Sequence, residues 1–181
     1  MDLSTDVLFT DGQDNMGGLT KRAYIGFEGG FTTLSTPVAN PATYGARVTI
    51  TDDHVLAPGK KLIELYIMYD KSGIESPLVG SRKAKSYKPK ATYFYPGNDA
   101  DCIGFQDLIK NSDLITFNEQ QDGDGYIQIG TRKLPASLVA GSVKTGVGPE
   151  GEKGIMFEIE APSRAAYYLY TGDLPRIGAA V

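Results

Sequence analysis

Apolar residues along this chain recur mostly with a period of two. In Lys61 to Tyr69, one face of a strand takes Ile63, Leu65, Ile67 and Tyr69, and the other takes Leu62, Glu64, Tyr66 and Met68. Lys153 to Glu160 alternates as cleanly, with Ile155, Phe157 and Ile159 inward and Met156, Glu158 and Glu160 outward. Arg22 to Glu28, with Ala23, Ile25 and Phe27 on one face, predicts a first strand ended by Gly29-Gly30. Shorter strands are predicted over Arg47 to Thr51, Ala91 to Tyr95, Lys133 to Ala140 and the tyrosine-rich Ala165 to Thr171; Pro135 is tolerated only at a sheet edge. Leu114 to Phe117 and Tyr126 to Ile129 read as a hairpin about Asp122-Gly123-Asp124-Gly125. Helical spacing occurs once: Cys102, Phe105, Leu108 and Ile109 make one stripe within a helix over about 99–111, with Asn98 as its cap and Asp101 as the acid of a capping box. A helix of about three turns is marginal alone and has to be held against a sheet.

Between these elements lie segments without a period. Residues 1–21 are polar and Gly-rich and read as an extended arm, which gains order by packing on something else, such as a neighbouring subunit. Phe31 to Tyr44 holds Pro37 and Pro41 and is irregular. Residues 70–90 form a loop or hairpin broken by Pro77 and Pro89, Gly141 to Gly151 is a Gly-rich loop, and 173–181 is a tail. The pattern predicts one β-rich domain over 22–172, all-β (or β-rich α+β) with one short helix.

Composition supports this class. The 22 glycines and 10 prolines suit many turns between short strands. With 41% hydrophobic and 22% charged residues the chain can bury a core and is not of disordered type. A single cysteine, Cys102, excludes an intrachain disulfide and any cysteine-based zinc site. The acidic start lacks a basic n-region, so no signal peptide is expected, and the longest apolar run, Leu62 to Tyr69, is too short to span a bilayer. These features predict a soluble protein made in a reducing cytoplasm, with no membrane partner.

No catalytic motif is convincing. Asp122-Gly123-Asp124-Gly125-Tyr126-Ile127 is like the middle of an EF-hand loop, but that register puts Gln120 at the first ligand position and Thr131 at the twelfth, without the bidentate glutamate. A hairpin turn whose glycines supply positive φ explains it better. Asp11-Gly12-Gln13-Asp14-Asn15 reads as a solvated acidic loop. Asp52-Asp53-His54 holds the only histidine and offers a weak metal or acid–base alternative, though a surface turn suits three adjacent residues better. Lys144-Thr145-Gly146 matches one β-lactamase motif, but Ser-x-x-Lys and Ser-Asp-Asn are missing. Cys102 sits on the apolar stripe of the helix and reads as a small core residue. No cofactor and no enzymatic activity are expected.

Charge is unevenly spread. Arg82, Lys83, Lys85, Lys88 and Lys90 form a basic cluster interleaved with Tyr87, which leaves the rest of a −4 chain at −9. An acidic body repels phosphates, so a nucleic-acid groove ranks below a solvated hairpin tip, and both rank below docking of this cluster on the acidic body of an identical neighbour. On that reading the interface candidates are Arg82, Lys83, Lys85, Tyr87, Lys88 and Lys90, with Asp11, Asp14, Asn15 and Met16 of the arm.

The order of short motifs resembles that of virion structural proteins of tailed bacteriophages, most closely tail tube proteins. The stretches that carry the likeness are Asn15-Met16-Gly17-Gly18 through Tyr24, Tyr93-Phe94-Tyr95-Pro96-Gly97-Asn98, the helix with Asn111-Ser112-Asp113-Leu114-Ile115, Gln128-Ile129-Gly130-Thr131, Leu134-Pro135-Ala136, Thr145-Gly146, Lys153-Gly154-Ile155-Met156-Phe157 and Tyr170-Thr171-Gly172-Asp173. The resemblance implies a β-sandwich or partly closed barrel with one flanking helix. It implies rings of six copies stacked into a tube in the virion tail, assembled in the host cytoplasm, with arms and a long loop tying ring to ring. DNA would pass through without sequence-specific binding, and the partners would be the chain itself and other tail or neck proteins. A head–tail adaptor, a capsid decoration protein and a monomeric binding or adhesion module share the same β-rich outline.

Overall fold

The computed structural model describes residues 6–8, 11, 15–123, 125–176 and 178. In chain order the elements are β1 (Leu19–Phe27), β2 (Phe31–Thr33), β3 (Thr49–Ile50), β4 (Val55–Leu56), β5 (Ile63–Tyr66), β6 (Gly73–Glu75), β7 (Leu78–Val79), β8 (Ser86–Tyr87), β9 (Lys90–Pro96), α1 (Ala100–Ile109), β10 (Leu114–Gln120), β11 (Tyr126–Ile129), β12 (Ser137–Lys144), β13 (Gly154–Glu160) and β14 (Tyr168–Tyr170). Strands take 40% of the chain and helices 10%, so the β-rich class with one short helix holds.

A six-stranded sheet runs β3-β14-β11-β10-β1-β5 and a four-stranded sheet runs β12-β13-β9-β6. The sheets face each other across the main core. Ala23 and Ile25 of β1, Leu114 of β10 and Ile127 and Ile129 of β11 meet Tyr93 of β9 and Ile155, Phe157 and Ile159 of β13. A hydrogen bond crosses this core: the Tyr93 hydroxyl donates to Asn118 Oδ1 at 2.5 Å. The open flank is filled by α1, whose Cys102 and Ile109 are buried and whose Phe105 ring lies 6.2 Å from Phe157.

The other face of the six-stranded sheet is covered too. Tyr24, Ile115, Phe117, Tyr170 and Ile50 point away from the first core into a second one, roofed by Phe31, Leu56 and Leu62. As a result β10 is buried on both faces from Leu114 to Asn118, and Tyr24 is buried beside Ala23 and Ile25.

Of the sandwich and the partly closed barrel expected, the sandwich is found, and no sheet closes into a barrel among the described residues. Several finer expectations are corrected. The strand expected over Lys61 to Tyr69 is laddered only at Ile63–Tyr66, because the chain changes sheets there: Ile67 N–H donates to Lys21 O on the six-stranded side, and Met68 N–H donates to Phe94 O on the four-stranded side. β1 begins at Leu19, three residues before the alternation is visible, and its register shifts between Leu19 and Ala23. The supposed loop from Gly141 is strand as far as Lys144. The helix cap is Asp99, without a side-chain cap bond, while Asn98 Nδ2 donates to Lys144 O and so reaches across to β12. Leu108, placed on the apolar stripe, is 59% exposed.

Candidate functional site

The basic cluster divides into two parts. Leu78 pairs with Tyr87 and Val79 with Ser86, so β7 and β8 make a narrow hairpin with Arg82, Lys83 and Lys85 exposed in its turn. Lys83 adopts φ 67°, the left-handed region expected at a tight tip. Among the described residues none of these three cations has an ion-pair partner. Lys88 and Lys90 stand at the base and are already paired, at 2.6 Å with Glu160 and 3.6 Å with Glu158 of β13. Tyr87 is half-buried and tied to Ser163 by reciprocal backbone bonds of 2.9 Å. The hairpin therefore presents three cations, with Leu78 and Val79 exposed beside them.

Of the arm candidates, Asp14 lies outside the described residues, and Asp11, Asn15 and Met16 are exposed. Met16 N–H donates to Asp122 Oδ2 at 3.0 Å, Gln121 N–H to Gly18 O, and Gln121 Nε2 to Leu19 O. The arm is thus fastened to the β10–β11 turn. That turn is the hairpin expected in place of a calcium loop, with Gly123 at φ 103° and Gly125 at φ 92°. Asp122, a would-be ligand, spends one oxygen on Met16.

Asp52, Asp53 and His54 separate. Asp52 and Asp53 are exposed, while His54 is 2% exposed and belongs to the second core, which corrects the surface-turn expectation. Its ring stacks on Tyr170 at 4.2 Å and 13° and lies 5.3 Å from Phe117. Nδ1 accepts the Ser35 N–H at 3.0 Å, so the neutral tautomer carries its proton on Nε2 and donates it to Gln128 Oε1 at 2.8 Å. Asp53 Oδ1 accepts the Asp173 N–H at 2.8 Å. Both ring nitrogens are engaged inside the fold, and among the described residues no three His, Cys, Asp or Glu side chains are grouped to hold a metal. The arrangement ties the 53–54 turn to β11 and β14.

Burial holds the His54 pKa below 6.5, against smaller opposing pulls from the Gln128 bond and the Asp53 charge. As pH falls through 6.5 the unfolded chain takes up the proton before the folded one does. The stability tied to this group is therefore present above 6.5 and is lost as pH drops toward the lower folded value. Urea midpoints should fall between pH 7.5 and 5.5, and His54→Gln should flatten that slope.

Cys102 is the core residue expected, its thiol pushed up to about 11 by burial first and Asp99 second. Lys144 of the Lys-Thr-Gly stretch stands 3.8 Å from Glu152, a carboxylate held below its usual range mainly by its hydrogen bond with Lys71.

Two surfaces escape the sequence. β12 is an edge: eight residues with only β13 beside it among the described strands, and with Val139 49% and Val143 44% exposed. Two valines four residues apart hint at it, but Gly141 between them reads as a loop. The second is an open groove that gathers Arg47, Lys133 and Arg164 from distant parts of the chain, a clustering no local pattern reveals. No family model matches the chain, and no curated protein or solved structure matches it.

Proposed function

We propose that this chain is a structural subunit of a phage tail tube, in which identical copies build stacked rings around a DNA-conducting lumen. The observation that carries the reading is the β12 edge. A long strand edge with exposed valines, no internal proline and no charge before Lys144 is a template for another strand, interrupted once by the register shift between Leu138 and Ala140. The opposite edge of the same sheet is β6. A copy adding its β6 beside β12 of the next continues the sheet head to tail, and a head-to-tail contact that closes makes a ring. The ordered motifs that resemble tail tube proteins point the same way, and so does the cationic hairpin on an acidic chain.

Electron microscopy of the purified protein over a concentration series tests the reading. Rings or tubes are expected. Single rings that never stack would favour a neck or adaptor role, and monomers at every concentration would overturn self-assembly. Val139→Lys with Val143→Lys should raise the concentration needed for rings by about tenfold or more, since two charges then sit on the pairing edge. Changing Arg82, Lys83 and Lys85 to glutamate should weaken assembly less steeply and with strong salt dependence.

A further inference from the structure

Three cations that no carboxylate neutralises meet in one groove. Arg47 lies before β3, Lys133 in the 131–134 turn after β11, and Arg164 before β14. All three are exposed and have no ion-pair partner among the described residues. A fourth cation, Arg132, is already held by Glu28 and the Phe31 carbonyl. The groove contains no acidic side chain among its described lining residues and measures about 1700 Å³, beyond the range of a small-molecule pocket. On a chain of net charge −4 this is a local field of the opposite sign.

One wall is the 34–42 segment, where Pro37 and Pro41 keep the chain out of a ladder. Ser35 N–H is taken by His54, but the N–H groups of Thr36, Val38, Ala39, Asn40 and Ala42 donate to no described residue. Val38 and Leu134 add exposed apolar surface, 59% and 38%. Free backbone donors, free cations and apolar side chains therefore line the same groove. An extended peptide is gripped by such a set, its main chain by the backbone and its alternate side chains by separate contacts.

We infer that this groove binds an extended acidic-apolar segment of a different protein, with carboxylates on Arg47, Lys133 and Arg164 and aliphatic side chains on Val38 and Leu134. Nucleic acid fits less well, because phosphates match the cations but leave Val38, Leu134 and Pro37 without apolar partners. The laddered strands of a second copy are poor material, since Glu64, Glu158 and Glu160 already face cations of their own. The contact uses neither the β12 edge nor the hairpin tip, and it does not depend on whether copies of this chain associate.

The test is fluorescence anisotropy with a short labelled peptide that alternates aspartate with leucine and valine, titrated with the full-length protein. Saturable binding that weakens with salt is expected. Arg47→Glu, Lys133→Glu and Arg164→Glu together should weaken it about tenfold or more, and a peptide with lysine for every aspartate should prefer that triple variant. Serine in place of leucine and valine should weaken binding as well. Hydrogen exchange on the unmutated protein locates the contact without relying on the variant's fold: amides of 36–42 should slow, and those of the hairpin tip should not. No saturable binding overturns the inference, as does undiminished binding by the triple variant, protection confined to the hairpin tip, or tighter binding of a single-stranded oligonucleotide in the groove. A triple variant that changes the protein's own sedimentation while binding the peptide normally assigns the groove to a second copy, and overturns it too. Peptide binding without rings or tubes leaves the groove assignment standing, and tubes without peptide binding sink that assignment alone.

Discussion

Phe117→Ala lowers the stability of this protein by about 3–5 kcal/mol, the range for deleting a buried phenylalanine ring. Phe117 is fully buried at the centre of the second core, with ring centroids 5.3 Å from His54, 5.6 Å from Tyr170 and 6.2 Å from Phe31. The void left by alanine cannot collapse easily. Tyr170 is held in β14 and through its hydroxyl, which donates to Asp173 O at 2.5 Å, while His54 is fixed by Ser35 and Gln128. Against a total of about 5–15 kcal/mol for a typical domain, one substitution removes a large fraction. Urea unfolding followed by tyrosine fluorescence and far-ultraviolet dichroism measures it, and Phe117→Leu should cost clearly less. A loss below about 1 kcal/mol for the alanine variant would mean that the roof over this face is not a packed core.

Asn118→Leu is the second large effect, about 3 kcal/mol, and its cause is polar. Asn118 is fully buried and serves three partners: Oδ1 accepts from the Tyr93 hydroxyl across the sandwich, and Nδ2 donates to the Ile127 carbonyl at 3.1 Å and to Thr116 Oγ1 at 3.3 Å on its own sheet. Leucine removes the Tyr93 hydroxyl's acceptor Oδ1 and leaves it only the Thr116 side chain between the sheets, against a penalty of about 1–3 kcal/mol for a fully stranded group. Tyr93→Phe alone strands Asn118 Oδ1 and should cost about 1–3 kcal/mol. The double variant should lose less than the two singles added together, because the second change removes the group that the first left unpaired. Strict additivity would show that the bond carries no coupling. Burial first holds the Tyr93 phenol far above 10, against smaller lowering by the Thr116 and Asn118 bonds, so this pair does not titrate in the neutral range.

Alternation made β13 and the β10–β11 hairpin readable, since Ile155, Phe157 and Ile159 all face one core as spaced. It could not reveal the second core. Ile115 and Phe117 lie between Leu114 and Asn118, and a strand buried on both faces shows a continuous apolar run instead of a period. His54 was hidden for another reason: two aspartates precede it and suggest a turn, while the partners that bury it, Gln128 and Tyr170, lie far along the chain. The basic cluster was visible as a run of residues, but its division into a free tip and a neutralised base depends on Glu158 and Glu160, which only the β9–β13 ladder brings near. The groove is the extreme case, because its cations share no segment.

The pairing of β1 with β10 sets a timetable for biosynthesis. Everything between Phe27 and Leu114 has to emerge from the ribosome before the central ladder of the larger sheet can form, on the order of ten seconds at ordinary elongation rates. β13, which covers the first core and carries β12, is made later still, and β14 later again. A nascent chain therefore completes its interior only near the end of translation. The exposed β12 edge, though made before β13, is set in the four-stranded sheet only once β13 has emerged beside it.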